Sequence, residues 1–221
     1  MTLQLYAHPF SSYCQKVLIA LYENDIAFEY RMLEEPGVGE ELARLWPIAK
    51  FPVLRAKNGG DERTLIETSV IIEYLQIHHP GPVTLIPADP DTALDVRTMD
   101  RVFDNYVMNA MQPLVNNLLR PEEHRDPHIA AYVHPALDKI YAWLDAHMAG
   151  REWAAGDAFS LADCAAAPSL FYADWAYPIP EEHRELKAYR ARLLARPSFA
   201  RAVDEARGFR HYFPLGAPDR D

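Results

Sequence analysis

The stretch PGPVTLIPADPD, residues 80–91, separates two parts of the chain that differ in pattern. A third of its residues are proline, and neither a helix nor a central strand continues through such a run. Short segments of different types alternate before it, whereas apolar residues recur at helical spacing after it. We therefore predict a first domain at 1–80, a linker at 81–90 and a second domain at 91–221.

The first part has the pattern of a mixed sheet with helices. We expect strands at 3–7, at 27–33 and in PVLRA and RTLIE, and helices at 12–23, in VGEELARLW and in SVIIEYLQIHH. The last two strands flank Asn58–Asp61, whose residues tolerate the positive φ of a tight hairpin turn, so this pair is antiparallel. The order β-α-β-α-β-β-α is that of a thioredoxin-like domain.

The second part predicts only helices, so the expected fold class is α/β followed by all-α. Apolar residues at three- and four-residue spacing predict amphipathic helices at 91–119, 127–148, 160–175 and 181–206. Ser160 and Asp163 form a capping box at the start of the third of these helices.

Composition and charge exclude several classes of protein. The 221 residues include 22 Lys and Arg against 32 Asp and Glu, a formal net charge of −10, so binding to nucleic acid is not expected. Cys14 and Cys164 are too few for a disulfide framework or a four-ligand zinc site, and no metal is expected. We see no signal peptide and no membrane span, and expect a soluble cytoplasmic protein.

Three segments of the first part place hydroxyl or backbone groups where a small anion could bind. Ser11–Lys16 opens the first helix, and Ser12 with Gln15 matches a capping box. Phe51-Pro52 begins a strand, so the backbone of Phe51 could pair with an outside peptide. Glu67-Thr68 opens the third helix. Taken singly, each segment is equally explained as a helix cap or an edge-strand proline.

Together these segments resemble the glutathione S-transferase family, whose members join a thioredoxin-like domain to an all-helical domain. The resemblance covers nearly the whole chain. It rests on four motifs in order: SSYCQKVLIAL, KFPVL, LIETSVIIEYL and FSLADCAAAP. It implies a homodimeric transferase with glutathione as cosubstrate, and Ser11 at the position where serine-type members donate a hydrogen bond to the glutathione sulfur. The thiolate would attack a small, apolar electrophile.

The resemblance also implies the residues that bind glutathione. Lys50 would reach the glycine carboxylate, and the backbone of Phe51, before a cis Pro52, would pair with the cysteinyl unit. Glu67 and Thr68 would hold the γ-glutamyl amine and carboxylate. These roles suit a small anionic peptide, which needs a strand-like edge, a helix N-terminus and one or two countercharges.

Two features depart from the family pattern. Thr68 stands where serine is more usual, and the loop 34–45 is acidic apart from Arg44, so a second basic group for the glycine carboxylate has no clear counterpart. Cys14 stands three residues after Ser11, whereas thiol-transfer members carry a cysteine at the position of Ser11 itself.

Three alternatives stay open at this point. One is a glutathione-dependent isomerase or dehalogenase on the same scaffold. Another is a thiol oxidoreductase that uses Cys14, which requires an exposed and reactive thiol. The third is a non-catalytic binding protein.

Several aromatic and apolar residues of the second part are candidates for a substrate pocket. At helical spacing they are equally candidates for the core. The tail 209–213 is expected either to cap such a pocket or to pack on it. The candidates are Phe103, Tyr106, Met111, Tyr172 and Trp175.

Overall fold

The computed structural model describes residues 2–221, and its first part has the expected order of elements. These are β1 (Thr2–Ala7), α1 (Ser12–Glu23), β2 (Glu29–Met32), α2 (Val38–Leu45), β3 (Val53–Asn58), β4 (Asp61–Leu65) and α3 (Thr68–His78). The strand order is β2-β1-β3-β4, with β1 parallel to β2 and the other pairs antiparallel. The predicted thioredoxin-like fold is confirmed.

The sheet lies between two helical layers because its side chains alternate between faces. Leu5 and Leu54 pair across β1 and β3 and are buried with residues of α1 and α3. Their neighbours Tyr6 and Val53 point to the opposite face and pack under α2. Helix α1 therefore begins just after the end of β1, at one edge of these three layers.

The second part is helical, as predicted, but one of its expected helices is divided in two and another contains a π-helical segment. Its elements are α4 (Pro90–Val102), a π-helical segment (Phe103–Met108), α5 (Asn109–Leu118), a 3₁₀ turn (Glu122–His124), α6 (Ile129–Met148), α7 (Leu161–Ala176), α8 (Arg184–Leu194), α9 (Pro197–Ala206) and a 3₁₀ turn (Arg207–Tyr212).

The prediction of one helix at 181–206 is therefore wrong in detail, whereas the chain is helical from Pro90 to Leu118 with the π-helical segment inside it. Pro197 lacks the N–H that a helix interior needs, and it takes the first position of α9 instead. The π-helical segment widens the turn between α4 and α5 while keeping the chain helical.

Helix α7 forms the centre of the second part. Every residue from Leu161 to Trp175 is buried. The predicted capping box is confirmed, since Asp163 Oδ2 accepts hydrogen bonds from the backbone N–H and hydroxyl of Ser160 at 2.8 and 3.0 Å. Helix α1 contacts both α7 and α9, so the two parts of the chain share one apolar core.

The connection between α3 and α4 is tied by hydrogen bonds to the second part, through the N–H of Leu161 and the carbonyl of Leu85 at 2.8 Å, and to the first part. The amide of Gln76 bonds the N–H and carbonyl of Ile86, both at 2.8 Å. The side chain of Asn24 accepts from the N–H of Val83 at 2.8 Å. The division into domains at 1–80 and 91–221 stays a prediction. Within residues 2–221, no helix is both long and apolar enough to cross a membrane.

Candidate functional site

Ser11 is the N-cap of α1 and lies between the end of β1 and the start of this helix. Its backbone is extended, with φ −86° and ψ 124°, and its Oγ accepts a hydrogen bond from the N–H of Cys14 at 3.4 Å. Accepting this bond leaves the hydroxyl proton available to donate. Ser11 is therefore both a cap and a potential donor to a ligand.

The assignment of the cap to Ser12 with Gln15 is wrong. Ser12 is already the first helical residue, whereas a cap has non-helical backbone angles. The buried amide of Gln15 instead donates to the Pro9 carbonyl at 3.0 Å and to the Tyr172 hydroxyl at 3.1 Å. Only Ser12 has a glutamine three residues further on, as the capping-box pattern requires, yet the backbone places the cap at Ser11.

The thiol of Cys14 points into the core. The residue has 0% exposure, and burial raises its thiol pKa to about 12. The N–H of His8 lies 3.5 Å from its sulfur. A buried thiol with a raised pKa is a poor nucleophile, so these features argue against an oxidoreductase that attacks with Cys14.

Two further predicted segments, at Phe51-Pro52 and at the start of α3, line one cavity. The Phe51-Pro52 peptide is cis, as the resemblance implied, and Phe51 is 40% exposed. Glu67 occupies the N-cap of α3 with a positive φ of 66°, and its side chain makes no hydrogen bond to the first turn. The N–H groups at the start of α3 are thus free of a side-chain cap, beside the buried Thr68.

Four of the predicted residues line one cavity of about 350 Å³, namely Lys50, Phe51, Glu67 and Thr68. Arg101, from α4, lines it as well. The cavity thus has a basic group on each part of the chain and two acidic groups, Glu67 at the start of α3 and Asp104 beside Arg101. This set of charges suits a zwitterionic ligand with two carboxylates and one amine.

A buried ionic cluster lies behind this cavity, and we call Lys16, Ser69, Asp100, Arg101 and Asp104 the Lys16 cluster. The ammonium of Lys16 lies 2.5 Å from Asp100 and 2.7 Å from Asp104. The hydroxyl of Ser69 donates to Asp100 at 2.7 Å, and Arg101 contacts Ser69 and both aspartates. Burial raises the pKa of the Asp104 carboxyl, against the opposing pull of Lys16. The cluster fixes the start of α3 relative to α1 and α4.

The fifth predicted residue, Ser11, lines a second cavity of about 570 Å³ that adjoins the first. Both cavities share Lys50 and Phe51, and both are also lined by Tyr13 and Asn109. The structure therefore brings all five predicted residues to one continuous cleft. The cleft lies between the thioredoxin-like sheet and the helical part.

The apolar wall of the second cavity only partly matches the expected residues. Met111 and Tyr172 line it as anticipated. Phe103 and Trp175 are buried in the core away from the cavity, and Tyr106 lies outside with 61% exposure.

The C-terminal tail completes this second cavity. Tyr212 and Phe213 line it, and the Phe213 ring packs 5.5 Å from that of Trp175 between centroids. The Tyr212 hydroxyl donates to Glu34 at 2.6 Å, which ties the tail to the loop after β2. The tail thus caps the pocket and packs on the core at once.

A further cavity, of about 660 Å³, lies elsewhere, between α1, β2 and α9. None of the predicted residues lines it, so we place the candidate site at the adjoining pair described above. Within residues 2–221, no group of three or more His, Cys, Asp and Glu side chains is arranged to hold a metal ion.

Comparison with known proteins identifies the family. The family model described as glutathione S-transferase, N-terminal domain, matches residues 5–83, and the model of the C-terminal domain matches residues 104–197. The chain belongs to the glutathione S-transferase family. The resemblance stated from the motifs is therefore confirmed.

Individual relatives within the family carry different names. A glutathione S-transferase from Methylobacterium radiotolerans, solved in complex with glutathione sulfonate, is 31% identical with a TM-score of 0.76, and the match covers 92% of this chain and 95% of that one. The FtsZ-localized protein A of Caulobacter vibrioides is 27% identical over 88% of both chains. A stringent starvation protein A homolog of Coxiella burnetii is 25% identical over 91% of both.

Arg101 and the buried partners of Lys16 were not predicted from the sequence of this glutathione S-transferase family member. Asp100, Arg101 and Asp104 have the spacing of an exposed, ion-paired helix face. The sequence does contain one signal for these partners, which is the position of Lys16 in the middle of an apolar helix. A charge buried there needs a partner from another element.

Proposed function

We propose that the protein is a glutathione transferase in which Ser11 stabilises the glutathione thiolate for attack on a small, largely apolar electrophile. The observation that supports this most is the adjoining pair of cavities. One is lined by charged groups suited to glutathione, and the other by the Ser11 hydroxyl and apolar side chains. The cosubstrate sulfur would lie where the two meet.

The proposed binding roles follow the chemistry of glutathione. Lys50 binds the glycine carboxylate, and the backbone of Phe51 pairs with the cysteinyl unit. Glu67 holds the γ-glutamyl amine. Thr68 and the free N–H groups at the start of α3 hold the γ-glutamyl carboxylate, and Arg101 adds a second positive charge near it.

The chemical task is to populate the thiolate. A free thiol with a pKa near ~8.5 is only about 3% ionised at pH 7, whereas lowering the pKa by two units makes it about 75% ionised. This shift corresponds to about 2.7 kcal/mol. A hydrogen bond from the Ser11 hydroxyl, together with the partial positive charge at the start of α1, supplies stabilisation of this magnitude.

The test is a pH titration of the ultraviolet thiolate absorbance of bound glutathione. We expect a lowered thiol pKa in the wild type. In Ser11→Ala we expect retained binding, a thiol pKa near that of free glutathione and loss of most turnover. Ser12→Ala is the comparison, because Ser12 lines the same cavity one residue further along. A thiolate lost in Ser12→Ala but kept in Ser11→Ala would show that the donor was assigned to the wrong serine.

A non-catalytic binding protein is the alternative, and two of the relatives favour it. The FtsZ-localized protein A and the stringent starvation protein A homolog do not carry transferase names. In that case the same titration shows either no glutathione binding or binding with an unshifted thiol pKa.

An isomerase or dehalogenase would instead show the lowered pKa, and its products would be an isomerised acid or a released halide.

A further inference from the structure

Two residues of the cleft, Tyr13 and Asn109, come from different parts of the chain and are bonded to each other. Tyr13 lies in the first turn of α1, two residues after Ser11, and Asn109 is the first residue of α5. The Tyr13 hydroxyl donates to Asn109 Oδ1 at 2.9 Å. Both residues line the two adjoining cavities of the candidate site. The bonded pair therefore borders the place where the glutathione sulfur lies under the proposed function.

The π-helical segment directs Asn109 toward α1. The backbone N–H of Asn109 donates to the carbonyl of Asp104, five residues earlier. Residues five apart in an α-helix are about 140° apart around the axis, so they face different neighbours. The wider π turn brings such residues to nearly the same direction. Asp104 and Asn109 thus both contact α1, where they meet Lys16 and Tyr13.

The hydrogen bond from Tyr13 sets the orientation of the Asn109 amide. A hydroxyl that donates needs the carbonyl oxygen of the amide, so the NH₂ group points away from Tyr13. The amide nitrogen donates one hydrogen bond, to Asn105 Oδ1 at 3.3 Å. It carries two hydrogens, and within residues 2–221 the second has no acceptor. One N–H of Asn109 is therefore left for a ligand.

The other residues shared by the two cavities use their polar groups elsewhere. Besides Tyr13 and Asn109, the shared lining residues are Lys50 and Phe51. The proton of the Tyr13 hydroxyl goes to Asn109. Lys50 is proposed to bind the glycine carboxylate, and Phe51 offers only its backbone. Asn109 is the remaining side-chain donor of this shared set, and it lies across the cleft from Ser11.

We propose that Asn109 is a second hydrogen-bond donor to the glutathione thiolate, and that Tyr13 is the positioning residue that keeps its amide in the donating orientation. This inference rests on the proposed transferase function and adds a catalytic residue from the helical part. A hydrogen bond to a charged sulfur is stronger than one to a neutral thiol, so the donor favours ionisation. The proton that the thiol loses passes to solvent water, because the donors Ser11 and Asn109 are not bases.

The experiment is the titration of thiolate absorbance of bound glutathione, applied to Asn109→Leu and Tyr13→Phe in the full-length protein. Leucine keeps the size of the asparagine side chain and removes both N–H donors, and phenylalanine removes only the hydroxyl. Asn109 is exposed and Tyr13 partly exposed, so neither change is expected to unfold the protein. Gln112→Met is the matched control, since Gln112 is an amide of the same helix that lines the second cavity but not the glutathione cavity.

We expect Asn109→Leu to raise the thiol pKa of bound glutathione by about half a unit to one unit, as for an exposed hydrogen bond to a charged group. At pH values below this pKa, kcat/KM should fall by about three- to tenfold, because the thiolate fraction falls by that factor. Tyr13→Phe should give a smaller rise, since the amide then turns freely. Added to Asn109→Leu, it should cause no further rise. Gln112→Met should leave the thiol pKa as in the wild type.

Three results would overturn the inference. If Ser11→Ala raises the thiol pKa and Asn109→Leu does not, Asn109 makes no contact with the sulfur. If Gln112→Met raises it as much as Asn109→Leu, the change reflects the general polarity of the cleft. If the effects of Tyr13→Phe and Asn109→Leu add in the double variant, Tyr13 does not act through Asn109.

Failure of the proposed function has a different signature. An unshifted thiol pKa in the wild-type protein removes the transferase function and this inference together. A lowered pKa that depends on Ser11 alone removes only the inference.

Discussion

Lys16 is an ammonium group with 1% side-chain exposure, held between Asp100 and Asp104. Lys16→Met keeps the length of the side chain and leaves two buried carboxylates with the partly exposed Arg101 as their remaining cation. We expect a loss of about 3–5 kcal/mol in the free energy of unfolding at neutral pH. The exposed Lys139→Met should change it little.

The same variant has a predictable pH dependence. Burial raises the pKa of Asp104 in the folded state, so the protonated carboxyl favours folding at low pH, and this contribution is lost as pH rises through the folded pKa. Removing Lys16 raises that pKa further. Urea unfolding should therefore show a smaller loss at about pH 5 than at about pH 7. An equal loss at both would mean that Asp104 keeps its charge without Lys16.

For single residues, the sequence predicts which side chains reach the site better than it predicts which residues they contact. Ser11, Lys50 and Glu67 were named from motifs and all reach the cleft. Arg101 was not named, because its position depends on which face of α4 meets α1 and α3. That face is decided by packing between distant segments, which leaves no local pattern in the chain.

The segment between α3 and α4 is an element without regular structure, and Gly81 is its tightest point. A Cβ at this position would overlap the side chain of Asn24, with Asn24 Cγ at 2.8 Å. Asn24 has little freedom to move, since its Oδ1 accepts from the N–H of Val83. We expect Gly81→Ala to lower the free energy of unfolding by about 1–3 kcal/mol in a urea titration.

Gly39→Ala provides the contrast for this prediction. Gly39 lies inside α2 with no atom within 4 Å of an added Cβ, so alanine should stabilise the protein slightly. A neutral Gly81→Ala would show that the connection shifts freely and that the bonds of Gln76 and Asn24 do not fix its path.

The helical elements show which features of a helix the sequence pattern predicts and which it does not. The start of α7 was predicted to the residue because Ser160 and Asp163 satisfy each other locally. The π-helical segment at Phe103–Met108 was not predicted, because apolar spacing differs little between a π turn and an α turn. Its wider turn carries Asp104, whose burial beside Lys16 is a tertiary contact.

On the scale of the whole molecule, we propose that exposed apolar side chains of α3 and α4 form a surface for self-association. Val70 and Ile77, on α3, are 53% and 70% exposed, and Leu94, on α4, is 62% exposed. Together with the family, this supports the proposed homodimer. We expect light scattering after size exclusion to report a dimer and Ile77→Glu to shift it toward monomer. Tyr132→Glu, at a 76% exposed position on α6, should leave the mass unchanged. A wild-type monomer, or equal effects of both variants, would place the interface elsewhere or remove it.

The second cavity takes one wall from the first strand–helix junction and the other from α5 and the C-terminal tail. The groups proposed to ionise glutathione and the groups that would meet its reaction partner are thus encoded in separate stretches of the gene. Under the proposed function, mutations in the codons for 111–116 and 212–214 would change which compound is consumed while the cosubstrate half is inherited intact. In evolutionary terms, a lineage that carries such a chain would acquire a new substrate without first losing the half that ionises the thiol.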